Sequence, residues 1–419
     1  LDSCLSVGVD TMTLSSFRLG IDTGGTYTDA VLLDPSGAVV STAKALTSHH
    51  ELTIGIRNAI DQLPGECLSQ ISLVSLSTTL ATNAVVEGRG TPVCLLLAGY
   101  NTQQVDKAKL EQIVRGGHCA LISGGHDAGG SERESLDLEC ARQIVIDQRD
   151  KVAAFGISGV FGVRNSDHEV KLRNLVSSLT GKPVTCGHEL ASQLDAPRRA
   201  LTVAFNASLI PYIDELIRAI KLILGERNIH APLMMVKGDG SLISAETALA
   251  RPVETILSGP AASVMGAAQL QPHQNAIIAD MGGTTTDIAI ITDGLPVISA
   301  KATVIGAWRP MVEAVRVFSL GLGGDSEVRF QGGVGLAIGP RRVVPMSLLV
   351  YRYPEVLGTL ERQMNTTISP RSNRFAVALF AEASQRKSFS SEEATAWERL
   401  QEGPLDVEQL SQEDRPLTR

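Results

Sequence analysis

Short apolar runs bounded by turn residues alternate along this chain with longer stretches of helical spacing. Phe17–Ile21, Ala30–Leu33 and Ala38–Ala43 predict three strands, the last two joined by a turn at Asp34-Pro35-Ser36-Gly37. Leu52–Leu63 has helical spacing, Ile71–Leu76 reads as a strand, Thr79–Val86 as a helix and Thr91–Leu97 as a strand. Residues 99–134 are rich in glycine and charge and predict an insertion or loop. Leu136–Asp147, Val152–Ile157, Ser166–Leu179 and Pro183–Thr185 then alternate helix, strand, helix, strand. That alternation is the pattern of an α/β fold with a covered sheet.

From Ala196 to Leu224 the spacing predicts one long helix, or two interrupted at Pro211. Leu233–Val236 reads as a strand, and Ser244–Ala250 and Ser258–Leu270 as helices, the second built of small residues. Ala276–Ala279, Ile288–Thr292 and Pro296–Ala300 predict three more strands, with Asp293-Gly294 as a tight turn. Beyond Tyr353 the pattern weakens. A capping box at Ser390–Glu393 precedes a helix over Ala394–Leu400, and Val407–Leu410 reads as a second short helix.

At 419 residues the chain exceeds what one core supports, so at least two domains are expected. Aromatic residues are only 4%, so the core must be aliphatic. A net charge of −8 argues against a nucleic-acid or anionic-membrane surface. Apolar runs such as Val93–Ala98 are too short to cross a bilayer, and residues 1–16 lack the pattern of a secretory leader and read as an N-terminal extension. The six cysteines form no Cys-x-x-Cys pair, which disfavours a zinc ribbon or disulfide scaffold and fits a reducing, cytoplasmic setting.

One repeat rises above background. Asp22-Thr-Gly-Gly-Thr-Tyr-Thr-Asp29 recurs as Asp280-Met-Gly-Gly-Thr-Thr-Thr-Asp287, identical at six of eight positions. Each copy follows an apolar strand, leads into a second and is joined by a short turn to a third. The paired meanders imply two equivalent halves facing one cleft. Paired glycines let backbone approach a ligand closely, successive N–H groups bind anions, and threonine hydroxyls add donors. A carboxylate beside such a turn would repel phosphate unless a divalent cation lay between them, so the pattern points to a metal–nucleotide site.

These residues resemble the actin, sugar-kinase and heat-shock ATPase superfamily, in which two ribonuclease-H-like domains each lend a glycine-rich hairpin to a nucleotide. More narrowly, the chain resembles the hydantoinase A/5-oxoprolinase family. The resemblance is carried by Gly20–Asp29, Thr78–Ala84 with Arg89-Gly90, His188-Glu189 with Arg198–Asn206, Thr255–Gly266 and Ala279–Ile291. It implies an α/β fold with a first actin-like ATPase domain over residues 17–195 and a second over 196–352. Residues 353–419 form a small helical tail, partly winged-helix-like. It implies ATP-dependent opening of a cyclic amide after phosphorylation of its carbonyl oxygen, with ATP and Mg²⁺ as cofactors and a B-type subunit as partner. Gly24, Gly25, Thr26, Thr28, Gly282, Gly283, Thr284 and Thr285 would contact the phosphates, and Asp22 and Asp280 would hold Mg²⁺. Thr79 and Asn83 are candidates for substrate or γ-phosphate contacts, or else serve as a helix N-terminal cap. Gly323 and Gly324, in the segment Phe318–Ser326, lie where the family has a glycine-rich stretch near the nucleotide. A plain loop entering a helix is the alternative there.

Two other readings of the same fold stay open: a nucleotide-gated regulatory module and a small-molecule kinase. His49, His50 and the histidine of Gly124-Gly-His126-Asp127 are candidates for metal or substrate ligands, with surface-loop histidines the favoured reading. The glycine string from Gly333 to Gly339 lacks the βαβ frame of a dinucleotide site.

Overall fold

The computed structural model describes residues 16–48, 51–270, 273–299, 303–331, 335–367, 371–378 and 390–407. The expected N-terminal extension, His49-His50, Gly333 and nearly all of the helix expected at Val407–Leu410 lie outside them. The elements run β1 (Phe17–Thr23), β2 (Tyr27–Leu33), β3 (Val39–Leu46), α1 (Leu52–Ile60), α2 (Gly65–Leu68), β4 (Ile71–Thr78), α3 (Leu80–Val86) and β5 (Val93–Ala98). Next come α4 (Thr102–Ala108), α5 (Leu110–Ile113), β6 (His118–Ile122), α6 (Leu138–Gln148), β7 (Ala154–Gly159), α7 (Asp167–Thr180), β8 (Val184–Cys186), α8 (Gly187–Leu190) and α9 (Ala196–Glu226). There follow β9 (Leu233–Val236), β10 (Leu242–Ser244), α10 (Ala245–Ala250), α11 (Ser258–Leu270), β11 (Ala276–Met281), β12 (Thr286–Thr292), β13 (Leu295–Pro296) and β14 (Val317–Leu320). The last are β15 (Ser326–Gln331), β16 (Gly335–Arg342), α12 (Met346–Arg352), α13 (Val356–Met364), β17 (Phe375–Ala376), α14 (Ser391–Glu402) and β18 (Leu405–Asp406).

The chain divides into two compact units, one running to Ala279 with Ile288–Phe318, the other made of Asp280–Asp287 and Ser319 onward. This division falls at other positions than the expected limits at 195 and 352.

Two sheets organise the larger unit. The first has the order β10-β9-β4-β1-β2-β3. The meander β1-β2-β3 is antiparallel, and β4 and β9 extend it in parallel on the β1 side. That is the ribonuclease-H-like arrangement implied by the resemblance. The second sheet, β6-β5-β7-β8, is wholly parallel. All six residues of β5 are buried. Cys94, Leu96 and Ala98 face a core shared with α6 and α7, whereas Leu95 and Leu97 face one shared with α4, α5 and α9. A strand covered on both faces reads as an unbroken apolar run, as this one does.

The stretch 99–134 is not an insertion. It holds α4, α5 and the edge strand β6, because Val105, Leu110 and Ile113 supply the apolar face that covers β5. α9 is one helix despite Pro211. A proline inside a helix removes a hydrogen bond and crowds the preceding turn, but here both halves are anchored. Ala200–Leu209 packs into the core of the parallel sheet, and Ile213–Leu224 into that of the meander sheet. By length and composition α9 could cross a bilayer, contrary to the expectation from the short apolar runs, yet 72% of its most apolar stretch is buried within the protein. Its N-terminus is capped by Asp195, which accepts the Arg198 N–H at 3.2 Å.

The second meander, β11-β12-β13, repeats the first, with β14 added on β12. Asp293 and Gly294, at φ 52° and 77°, make the expected tight turn. The strand expected at Pro296–Ala300 is shorter, Leu295–Pro296, after which Ile298 makes only an isolated bridge to Val315. In the tail, α14 carries the expected capping box between Ser390 and Glu393.

Phe155 of β7 is fully buried in the core shared with α6 and α7. Phe155→Ala should therefore cost about 3–5 kcal/mol of stability, measured as a lower urea midpoint with an unchanged slope.

Candidate functional site

The first repeat is the β1–β2 hairpin, with Asp22 opposite Asp29 and Thr23 opposite Thr28. The Gly24 N–H donates to the Tyr27 carbonyl at 3.0 Å and closes the turn. Thr28 is buried, its hydroxyl hydrogen-bonded to that of Thr47 at 3.1 Å, so it serves the fold. Asp29 pairs with Lys44 at 2.8 Å.

The second repeat, in the smaller unit, closes the same way, Gly282 N–H to the Thr285 carbonyl at 2.9 Å. Thr286, the counterpart of Thr28, is likewise buried and donates to the Leu322 carbonyl at 2.7 Å. Asp280, Gly282, Gly283, Thr284 and Thr285 are exposed.

None of Gly24, Gly25, Gly282 and Gly283 adopts a left-handed φ. A Cβ at Gly24 would lie 3.2 Å from the Tyr27 oxygen and one at Gly282 3.6 Å from the Thr285 oxygen. At Gly25 and Gly283 it would meet nothing within 4 Å among the described residues. The turns therefore do not need the second glycine for their own conformation. Its consequence is bare backbone bordering open space.

Parallel pairing of β1 with β4 sets Asp22 beside Ser77 and Thr23 beside Thr78. The Ser77 hydroxyl donates to Asp22. Thr79 follows at the start of α3, and its N–H donates to the Thr23 carbonyl at 3.1 Å. It holds the N-cap position, but its hydroxyl takes no helix N–H. That oxygen accepts from Asn83 Nδ2 at 3.3 Å, so Thr79 and Asn83 form one pair beside the hairpin.

The N-terminus of α11 reaches the same place. The Ser258 hydroxyl accepts the Thr78 N–H at 3.2 Å and donates to the Thr78 carbonyl at 3.0 Å. A Cβ on Gly259 would come 3.7 Å from Thr79 and 3.9 Å from Asp22 Oδ1. Helix N-termini carry partial positive charge and favour anions. Ser77 has no signature in the sequence as a site residue, and Ser258 lies within the motif Thr255–Gly266 without being singled out there; strand register and helix approach bring them to Asp22 and Thr78.

Gly323 and Gly324 lie against the second hairpin. The Gly324 N–H donates to the Gly282 carbonyl at 3.0 Å and the Asp325 N–H to the Gly283 carbonyl at 2.9 Å. A Cβ on Gly323 would fall 2.4 Å from the Gly283 oxygen, so glycine is required there by packing. The segment enters the strand β15 rather than a helix.

Glu169, Cys186 and His188 bring three potential metal ligands within 4.8 Å of one another. They are already committed. Glu169 accepts the Gly159 N–H at 2.8 Å, the His188 N–H at 2.8 Å and His188 Nδ1 at 2.6 Å, while burial raises the Cys186 thiol pKa far above its ordinary value.

Two family models match the chain, the hydantoinase/oxoprolinase N-terminal region over residues 18–180 and hydantoinase/oxoprolinase over residues 199–350. The chain belongs to the hydantoinase/oxoprolinase family. It is 31% identical over 358 residues to the caprolactamase alpha subunit of Pseudomonas jessenii, a match covering 79% of this chain and 51% of that subunit. The crystal structure of the ATP-dependent caprolactamase from that organism superposes with a TM-score of 0.65 at 29% identity, covering 78% of this chain and 51% of the other. The nucleotide-free acetone carboxylase structure shares the fold, with a TM-score of 0.61 at 21% identity and coverage of 78% and 51%. The chain thus spans about half the length of these relatives.

The two kinds of glycine should separate on substitution. Gly25→Ala should leave stability within about 0.5 kcal/mol, whereas Gly323→Ala should lose on the order of 1–3 kcal/mol. Urea titrations of both variants check this, and equal losses would contradict it.

Proposed function

We propose that this family member uses ATP to open a cyclic amide of the hydantoin or 5-oxoproline type. The observation that carries the reading is the duplicated acidic turn, closed by the same bond in both copies and leaving its second glycine bare in both. A turn that keeps a glycine it does not need for its own shape suits close approach of a ligand to backbone.

The N–H groups of Gly24 and Gly282 are used inside the turns. The phosphate donors in this reading are therefore the N–H groups and hydroxyls of Gly25 with Thr26 and of Gly283 with Thr284. Each charge-assisted bond of this kind is worth roughly 1.5–3 kcal/mol. Asp22 and Asp280 offer the hard carboxylate oxygens that suit Mg²⁺, and Ser77 orients Asp22. When bound, such an ion offsets the charge of the phosphates. Thr79 and Asn83, paired beside the first hairpin, are placed for the transferred group or the ring.

A lactam is a weak electrophile. In the proposed reaction its carbonyl oxygen takes the γ-phosphoryl group of ATP and ADP leaves. Water adds to the activated carbon, and the C–N bond breaks with nitrogen leaving as the amine. The acyl phosphate that remains is hydrolysed by a second water. The chain's contribution is positioning and charge compensation. A B-type partner subunit, in keeping with relatives named as subunits, and a cytoplasmic setting belong to the same reading. Cys67, Cys94, Cys119, Cys140 and Cys186 are all free thiols.

Phosphate release from Mg·ATP should rise when 5-oxoproline or a hydantoin is added together with a B-type subunit. Asp22→Asn and Asp280→Asn should each lower that rate by on the order of 100-fold. Slow release indifferent to lactam would instead mark a regulatory module, and a persistent phosphorylated product a kinase.

A further inference from the structure

The two meanders match in sequence and strand pairing, but not in what covers them. With Asp22 matched to Asp280, Leu19, Ile21, Ala30 and Leu32 of the first correspond to Ile277, Ala279, Ile288 and Ile290 of the second. In the first meander those four positions are at most 3% exposed. They share a core with Ile56, Ala59 and Ile60 of α1, the helix that follows β3, and with Ile213–Leu224 of α9.

In the second meander the corresponding face is bare. Ile277 is 74% and Ile290 40% exposed, and Ala279 is exposed as well. The opposite face is the covered one: Ala276, Ile278, Ala289 and Ile291 pack with Ala261 and Val264 of α11. Val317 of β14 joins that core, so strand alternation puts Phe318, 44% exposed, on the bare face. Among the described residues no helix lies between β13 and β14, where α1 would have its counterpart.

A second observation concerns the edge. β1 lies between β2 and β4 and pairs with β4 in parallel. β11, its counterpart, pairs with β12 alone among the described residues. Its outer edge carries no strand there. An unpaired edge beside an exposed apolar face is a template for another polypeptide.

The first meander shows what fills the equivalent places: a parallel strand on the edge and a helix with an aliphatic stripe on the face. We propose that the second meander receives a strand and helix of this kind from a separate polypeptide, the counterpart of the half that the relatives carry outside the matched region. Extended aliphatic residues pair in parallel with β11, as β4 pairs with β1. The helix sets its stripe on Ile277, Ile288, Ile290 and Phe318. About half of the caprolactamase alpha subunit lies outside the match, ample length for such a segment. The association does not depend on the hydrolase reading.

The probe is the part of the Pseudomonas jessenii caprolactamase alpha subunit outside the match, co-expressed with the full chain. In a second form it is joined to the chain by a long Gly/Ser linker, so that solubility of the separate piece does not decide the outcome. Hydrogen exchange is read without ATP or lactam. In the chain alone the amides of Ala276–Ala279 should exchange faster than those of Arg18–Ile21, and the probe should slow them by about tenfold or more. Ile277 is exposed, so Ile277→Glu should fold normally, and it should remove that slowing. Val39→Glu, at a 57% exposed apolar position on β3, should leave it intact. Equal protection of both strands in the chain alone, no slowing with either form of the probe, or slowing that survives Ile277→Glu would overturn the proposal. So would a homodimer of the chain that itself protects Ala276–Ala279.

Discussion

The parallel register of β1 against β4 is the constraint on which the surroundings of the first hairpin depend. It sets Asp22 opposite Ser77 and Thr23 opposite Thr78. Because β4 runs directly into α3, that register also fixes where Thr79 and Asn83 lie. Because Ser258 bonds both backbone groups of Thr78, it brings in the start of α11. A slip of one residue would turn every side chain of the strand to the opposite face and take the serine away from Asp22. The register is held by burial. Leu19, Ile21, Val74 and Leu76 all sit in one core, so any slip would expose an apolar set worth several kcal/mol.

Glycine does two separate jobs in the repeated turns and their surroundings. Gly25 and Gly283 leave empty space in front of backbone, with no atom of the described residues within 4 Å of a Cβ placed there. Gly323 is the reverse case, since its missing side chain is what allows the loop before β15 to lie on the second hairpin. Spacing alone treats both as members of a glycine-rich motif. Only the distance from a hypothetical Cβ to the nearest atom tells a glycine kept for packing from one that leaves backbone bare. The buried threonines make a parallel point. Thr28 and Thr286 occupy the same place in the motif and both turn their hydroxyls inward, so part of the repeat is conserved geometry of the hairpin itself.

The parallel sheet is tied to the long helix by a buried polar network. Arg199 of α9, almost fully buried, donates to the Gly159 carbonyl at 2.7 Å at the end of β7. Tyr100, just after β5, hydrogen-bonds Ser158 at 2.8 Å and donates to the Ala196 carbonyl at 2.7 Å, and burial raises its pKa strongly. Glu169 adds its bonds to Gly159 and His188. Polar groups in a low-dielectric interior are costly unless paired, and these bonds hold the loops at the carboxyl end of the sheet, while Arg199 Nε has no hydrogen-bond partner among the described residues. His126, expected in a surface loop, is buried beside them, its N–H on the Val160 carbonyl and its ring against that of His168.

Most elements were legible in the sequence because helices and covered strands impose local periods: Ser258–Leu270 matches α11 end to end, and both meanders and the duplicated acidic turn could be read from spacing. Residues 99–134 defeated that reading. Their helices are short, and β6 is an edge strand whose partner β5 lies twenty residues back, so nothing local announces it. The burial of His126, the approach of Ser77 to Asp22 and the continuity of α9 through Pro211 likewise follow from contacts between distant segments. The sequence by itself determined which residues are candidates for the chemistry, since residue type and spacing are local properties. Tertiary structure alone decided which of them are left without partners, because partnership depends on strand register and packing that no local pattern encodes.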